Sequence, residues 1–318
     1  MKAAILYQYG ESPKYAEAPD PIPNTGEALV TMVATSIKQL DKSKAAGTHY
    51  TKYQALPAIV GLDGIAQLAD GTHAYITGIG GTMAEKALIV PNSGIPVPEK
   101  LSIPLAAALP NALLGSDAAM LYRGGLKKGD TILINGATGA TGRIAIQMAR
   151  NRGAKCIIAV GRLSSGLDEL TALGADILIN TQQDDNAFTE ALIEVFQQHQ
   201  PNVVIDYLWG HPAELILKAL HGVITNKVNY ITVGEMAGAT IQLPSALLRS
   251  RKIELLGSGI GSISYKEIKE YFTTELPTAY QWAAEGKIIM PLETVPLADI
   301  EIAWQTPEKQ GKRNVVML

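Results

Sequence analysis

Ile132-Leu133-Ile134-Asn135-Gly136-Ala137-Thr138-Gly139-Ala140-Thr141-Gly142, followed by Arg143-Ile144-Ala145-Ile146-Gln147-Met148-Ala149, is the stretch that decides the fold. An apolar run of strand length gives way to small residues, and these give way to apolar residues at helical spacing. Gly136 permits a tight turn, Gly139 a close approach of phosphate to the backbone, and Gly142 contact between helix and strand. Thr138, Ala140 and Thr141 complete the loop. The free amides and dipole of the helix that begins there favour an anion such as a pyrophosphate. A bare glycine triplet also fits an unliganded turn in a parallel sheet; the flanking strand and helix favour a dinucleotide.

Outward from this point the same grammar repeats. Strands are expected over 131–135, 155–160, 177–179, 203–206, 230–233 and 253–256, with helices over 142–152, 167–173, 187–198 and 212–220 between them. Six strands alternating with helices predict an α/β fold with a doubly wound parallel sheet, whose ligand crevice lies at the carboxyl ends of the strands. Gly161, Arg162 and Ser164 follow the second strand, Asp206-Tyr207-Leu208 line the crevice at the fourth, and Val233-Gly234-Glu235 at the fifth. Gly234 would admit the nicotinamide amide; Tyr207 reads equally as a packing residue. No acid follows the second strand to hold ribose hydroxyls, and Arg162 offers a charge for a 2′-phosphate, so NADPH is favoured over NADH. The alternative for Arg162 is a solvated surface charge.

The first third of the chain is different. Pro19, Pro21, Pro23 and Gly26 precede Ala28–Ala34, and short apolar runs end at Gly64, Gly71 and Gly80, which suggests a small, mostly antiparallel β-domain. After Gly257 a further helix is expected over 268–285, and the strand-like pieces up to Leu318 belong with the first domain. The expected division is 1–115 with 260–318, and 116–259. The 27 Lys and Arg against 30 Asp and Glu, with no dense basic run, point to neither a nucleic-acid nor an acidic-membrane partner. The uncharged stretch from Leu101 to Ser116 is interrupted by Pro104 and Pro110 and is too short to span a bilayer, so a cytoplasmic protein is expected. Cys156, the single cysteine, lies in an apolar run and reads as a buried strand residue.

This arrangement resembles the medium-chain dehydrogenase/reductase superfamily, in its zinc-independent, quinone-oxidoreductase-like branch. The glycines 136, 139 and 142 match the cradle of its quinone reductases, and Leu126–Leu133 looks like the family's lead-in to that strand. Leu173-Gly174-Ala175-Asp176 and Val295-Pro296-Leu297-Ala298-Asp299-Ile300 resemble two further family segments, so the resemblance covers nearly the whole chain. It implies a GroES-like β-domain joined to a Rossmann domain, and, by analogy, a homodimer through Rossmann strands. The zinc alcohol dehydrogenases of the superfamily carry Gly-His-Glu where this chain has Gly61-Leu62-Asp63. Leu62 cannot ligate, and the five histidines show no ligand spacing, so no zinc is expected.

Without a metal the hydride acceptor should already be electrophilic, which implies a quinone or an α,β-unsaturated carbonyl. The relatives' Ala-x-x-Val-Asn-Pro-x-Asp reads here Ala34-Thr35-Ser36-Ile37-Lys38-Gln39-Leu40-Asp41, with Lys38 in place of Asn. Lys38 could steady a developing enolate or contact a cofactor phosphate, or could serve as a partner for Asp41. Tyr50 is the first candidate for a hydrogen-bond donor or stacking surface, and His49 an outside candidate for proton delivery. Asn111, in a segment resembling the family's domain connection, could reach the nicotinamide. Two other functions remain open: a non-enzymatic nucleotide-binding redox sensor or structural protein, and an enoyl reductase for a carrier-linked or CoA-linked substrate.

Overall fold

The computed structural model describes residues 1–49, 51–162, 167–307 and 311–318. It divides into two compact units, Ala112–Tyr271 and the pair of segments Met1–Asn111 with Phe272–Leu318.

The first segment supplies β1 (Lys2–Leu6), β2 (Lys14–Glu17), β3 (Ala28–Ser36), α1 (Gln39–Ala45), β4 (Ala58–Ile59), β5 (Asp63–Gln67), β6 (His73–Thr77), β7 (Lys86–Ile89), β8 (Ile95–Pro96) and α2 (Ile103–Leu113). A π-helical run, Leu114–Gly124, continues from α2. The central unit holds β9 (Thr131–Asn135), α3 (Ala140–Asn151), β10 (Cys156–Gly161), α4 (Leu167–Ala172), β11 (Ile177–Asn180), α5 (Asp185–Gln198), β12 (Val203–Asp206), α6 (Gly210–Val223), β13 (Val228–Thr232), α7 (Ser245–Ser250) and β14 (Ile253–Gly257). The closing segment returns with β15 (Leu292–Pro296) and β16 (Arg313–Met317).

In the central unit the six strands run parallel in the order β11-β10-β9-β12-β13-β14. The chain leaves β9 toward β10 on one side and later toward β12 on the other. A crevice therefore opens at the carboxyl end of β9, where the two crossovers diverge. The strands are apolar on both faces because helices cover both, and Leu133, Ile158, Val160, Val204 and Tyr230 join Phe188, Leu192 and Phe196 of α5 in one core. Cys156 is buried at the start of β10.

Several element boundaries differ from the sequence expectation, and three of them have a clear local reason. Helix α5 begins at Asp185 because the Asp184 carboxylate accepts from the amides of Asn186 and Ala187, an N-cap that apolar spacing alone does not reveal. Strand β13 begins at Val228 because that residue pairs with Ile253 of the edge strand. The helix expected over 268–285 starts at Tyr265 behind a Ser264–Glu267 capping box and passes through a π-helical turn at Tyr271–Glu275. Tyr271 donates its hydroxyl to Asp117 (3.1 Å) and meets Tyr122 edge-on, which ties it to the central unit. The units divide between Asn111 and Ala112 and between Tyr271 and Phe272, both inside helical stretches, where the sequence expectation was after 115 and before 260.

The other unit is built on antiparallel strands. A seven-stranded sheet runs β15-β16-β3-β5-β6-β8, with β7 also paired to β3, and a three-stranded sheet runs β2-β1-β4. The chain's last strand, β16, pairs antiparallel with β3, placing Val315 opposite Ser36. Ala4, Leu6, Ile37, Val60, Ile300 and Trp304 form the apolar cluster beneath α1. That pairing fixes the end of β3, from which Ile37 and Lys38 lead into α1. No described helix is long and apolar enough to cross a membrane.

Candidate functional site

At the end of β9 the backbone turns sharply: Gly136 has a φ of +88°, and the amides of Gly136 and Ala137 both donate to the carbonyl of Val160 (2.9 Å each). A side chain is disfavoured at that φ, which is why glycine stands there. Gly142 is required by proximity, since a Cβ built on it would lie 2.3 Å from the Gly136 carbonyl oxygen. Gly139, exposed at the mouth of the loop, is the N-cap of α3 and supplies no side-chain cap. The first amides of a twelve-residue helix are thus available to an anion.

The other expected crevice residues gather around this loop. Gly161 packs on Thr138, at 3.0 Å from a built Cβ to the threonine methyl, while Gly115 lies against Thr141 and Val233. Gly234 approaches the backbone of Tyr207 so closely that a Cβ would stand 2.7 Å from its carbonyl oxygen. Tyr207 is half-buried and donates its hydroxyl to the Gly115 carbonyl (3.0 Å); burial pushes that hydroxyl far above the ordinary tyrosine range. This geometry is that of a packing residue. Arg162 is exposed at the end of β10. Ser164 falls outside the described residues.

The sequence places Asp206 at this crevice with Tyr207 and Leu208, and the structure adds partners that no motif names. Asp206, fully buried at the end of β12, accepts from Asn135 Nδ2 (2.7 Å), the amides of Leu208 (2.8 Å) and Trp209 (3.0 Å), and Tyr230 Oη (2.7 Å). Its burial raises the carboxyl above the usual range, against the four donors that favour the anion. It links the carboxyl ends of β9, β12 and β13, and its backbone carbonyl also receives the amides of Val233 (2.8 Å) and Gly234 (3.2 Å). The signal in the sequence was an acid ending an otherwise apolar strand, Val203-Val204-Ile205-Asp206, with no Lys or Arg beside it.

In the antiparallel unit, Lys38 is the N-cap residue of α1 and its side chain has no solvent exposure. Its Nζ donates to Asp63 Oδ1 (2.6 Å) and to the Ser36 carbonyl (3.2 Å), and lies 3.3 Å from Asp41 Oδ2. Tyr75 donates its hydroxyl to the other Asp63 oxygen (3.0 Å). Burial opposes the ammonium charge, but the carboxylates of Asp41 and Asp63 outweigh it and hold Lys38 above its ordinary range. Burial also raises the Asp41 carboxyl, against the opposing pull of Lys38. Of the roles open to Lys38 from sequence, partnership with Asp41 is the one its geometry fits, and Asp63 is a partner that sequence spacing did not suggest.

His49 is half-buried, and its Nδ1 lies 3.0 Å from the Thr51 amide, 2.8 Å from the Thr51 hydroxyl and 3.3 Å from the Thr51 carbonyl oxygen. Tyr50 lies outside the described residues. Asn111 is half-buried in the last turn of α2. Tyr53, Gly61, Leu62 and the glycines at 78, 80 and 81 line a groove of about 550 Å³ in this unit, with Lys44 and Lys52 also on its wall.

The fit to zinc is poor. Leu62 has no donor atom, Asp63 is engaged by Lys38 and Tyr75, and no cluster of three or more His, Cys, Asp or Glu able to hold a metal occurs among the described residues.

Residues 140–277 match the family model described as zinc-binding dehydrogenase. The chain is 26% identical, over the full length of both, to the probable NADPH-dependent quinone reductase tdiC of Emericella nidulans. It is 29% identical to quinone oxidoreductase-like protein 2 of Bos taurus over 65% of this chain and 57% of that one. The quinone oxidoreductase of Thermus thermophilus, solved also in complex with NADPH, superposes over the whole of both chains with a TM-score of 0.80 at 24% identity. These similarities define a two-unit oxidoreductase with a doubly wound parallel sheet. The chain is thus similar to quinone-reductase-like members of the medium-chain dehydrogenase/reductase superfamily, and residues 140–277 carry the match to the zinc-binding dehydrogenase model.

Proposed function

We propose that this protein reduces a quinone or an α,β-unsaturated carbonyl with NADPH, without a metal. The observation that carries the reading is the cradle from Gly136 to Gly142, whose turn, uncapped helix and Gly142 contact leave backbone donors facing the crevice. Full-length similarity to an NADPH-dependent quinone reductase supports the choice of cofactor and acceptor. A bound dihydronicotinamide would supply the hydride.

The chain's own residues do the rest. Gly139, Ala140, Thr141 and Gly142 would hold the pyrophosphate on the first turn of α3, and Gly234 beside Tyr207 leaves room for the carboxamide. Arg162 would pair with the 2′-phosphate. Arg143 is less suited to that task, because its guanidinium already holds Glu169 (2.7 Å) and the Thr138 carbonyl (3.3 Å). Asn111 would hydrogen-bond near the ring. Tyr50 is the candidate hydrogen-bond donor or stacking surface for the acceptor, and His49 the candidate to deliver the proton that accompanies the hydride. The residues that supply no Lewis acid, Leu62 and the engaged Asp63, favour an acceptor that is already electron-poor.

As parts of the same reading, the protein is cytoplasmic and works as a homodimer. Strand β14 ends the parallel sheet and leaves an edge that a second copy could extend. Mixing the purified protein with NADPH and a panel of quinones and enones tests the activity. Oxidation of NADPH by at least one class is expected, and silence across the panel with NADPH binding retained would refute the reading. Sedimentation at equilibrium tests the dimer.

A further inference from the structure

Lys38, Asp41, Asp63 and Tyr75 form a buried polar cluster that no step of the proposed reaction uses. Two carboxylates face one ammonium at a place where the lysine side chain is fully enclosed. The ammonium donates to Asp63 Oδ1 (2.6 Å) and the Ser36 carbonyl (3.2 Å) and is ion-paired with Asp41 Oδ2 at 3.3 Å. Carboxylate and carbonyl oxygens are the donor set that a hard divalent cation takes.

The surrounding backbone is held as firmly. Asp63 follows Leu62, the residue that stands where zinc-binding members of the superfamily present a histidine. The Asp63 carbonyl receives the hydroxyls of Thr35 (2.7 Å) and Thr82 (2.9 Å), so the carboxylate stands on a fixed stem. Asp41 is fixed from the other side, its Oδ2 accepting the Lys38 amide (3.1 Å) across the first turn of α1.

We propose that the Lys38 ammonium is a built-in cation that stands in for a metal in this unit, positioning the Asp41 and Asp63 carboxylates and closing their site to divalent ions. Lys38 is a positioning residue: it occupies the space between two anions and repels any second cation. It also joins the end of β3 and the start of α1 to β5, a junction that a metal would otherwise tie through its ligands. The chain thus carries, in a side chain, a charge that cannot be chelated away.

The test removes the ammonium and asks whether a metal takes its place. Full-length Lys38→Ala and wild-type protein are melted in EDTA and in a Mn²⁺ series. The variant should gain about 5 °C when Mn²⁺ is a hundredfold above its dissociation constant, whereas wild type should not respond. Co²⁺ should give the variant, and not wild type, a saturable visible absorption at one equivalent. Adding Asp63→Asn to Lys38→Ala should abolish both responses. A variant that ignores both metals, or whose response survives Asp63→Asn, overturns the proposal. If Lys38→Ala does not fold in EDTA, Lys38→Gln, which keeps bulk and a polar head, takes the same titration. If neither folds, refolding from urea in Mn²⁺ must recover native circular dichroism, and failure to do so also overturns it.

Discussion

The cradle from Gly136 to Gly142 is built from backbone and from side chains that are absent, whereas the cluster at Lys38 is built from charged side chains brought together from β3, α1 and β5. The cradle leaves the first amides of α3 without a side-chain cap, ready for an anion from outside. The cluster engages its ammonium internally, with two hydrogen bonds and an ion pair. One is therefore a receptor and the other a fastening, although both rest on charge next to a helix start. The difference also sets the cost of error. A receptor loses ligand affinity when a methyl intrudes, and a fastening loses folding free energy when one partner goes.

The largest expected effect breaks the fastening. Lys38→Met leaves two buried carboxylates without their cation and should cost about 3–5 kcal/mol of stability, read as a lower urea midpoint. Loss below about 1 kcal/mol would show the cluster to be no more than a surface-like pair. The receptor is tested next by Gly142→Ala, whose methyl meets the Gly136 carbonyl at 2.3 Å. NADPH affinity, followed by nicotinamide fluorescence, should fall about 100-fold, or ~2.7 kcal/mol.

A smaller effect sharpens the account of the receptor. Arg162→Ala should weaken NADPH about tenfold and leave NADH unchanged, since only the 2′-phosphate contact is removed. Equal changes for both cofactors would deny the arginine that role. The smallest concerns charges that are neither receptor nor fastening. His211 lies between Asp185 (2.8 Å) and Glu214 (3.3 Å) on the surface, and its hydrogen bond to Asp185, then that to Glu214, raises its pKa. A raised folded-state value means the histidine's contribution is fully present below about pH 6.5 and is lost as pH rises through the folded value. His211→Gln should flatten that dependence between pH 6 and 8 by well under about 1 kcal/mol, because the group is exposed and screened. A larger change would mean that exposed ion pairs here rival the buried one.

How far each region could be read in advance follows from the same contrast. The glycines at 136, 139 and 142, the strand before them and the helix after them are contiguous, so turn, strand and helix were all legible. Gly161, Val233 and Gly234 were found because strand ends in a doubly wound sheet converge by topology. Asp206 was placed at the crevice by the same topology, but its donors, Asn135, Leu208, Trp209 and Tyr230, span three strand ends and form no motif, so its hydrogen bonds were not legible. For Lys38 the neighbour Asp41 is three residues away and was considered, whereas Asp63 is reached only across the pairing of β3 with β5.

The sequence by itself determined the alternation of strand and helix, the glycine turn and the absence of a ligand at Leu62, because each depends on backbone freedom, periodicity or a single side chain's chemistry. Only the tertiary structure decided that Lys38 is enclosed and engaged, that Tyr207 packs through its hydroxyl, and that Asp206 joins three strands. Those outcomes depend on burial and on distances between residues far apart in the chain. Charge carried into a low-dielectric interior takes its meaning from its partners, and sequence spacing does not name them.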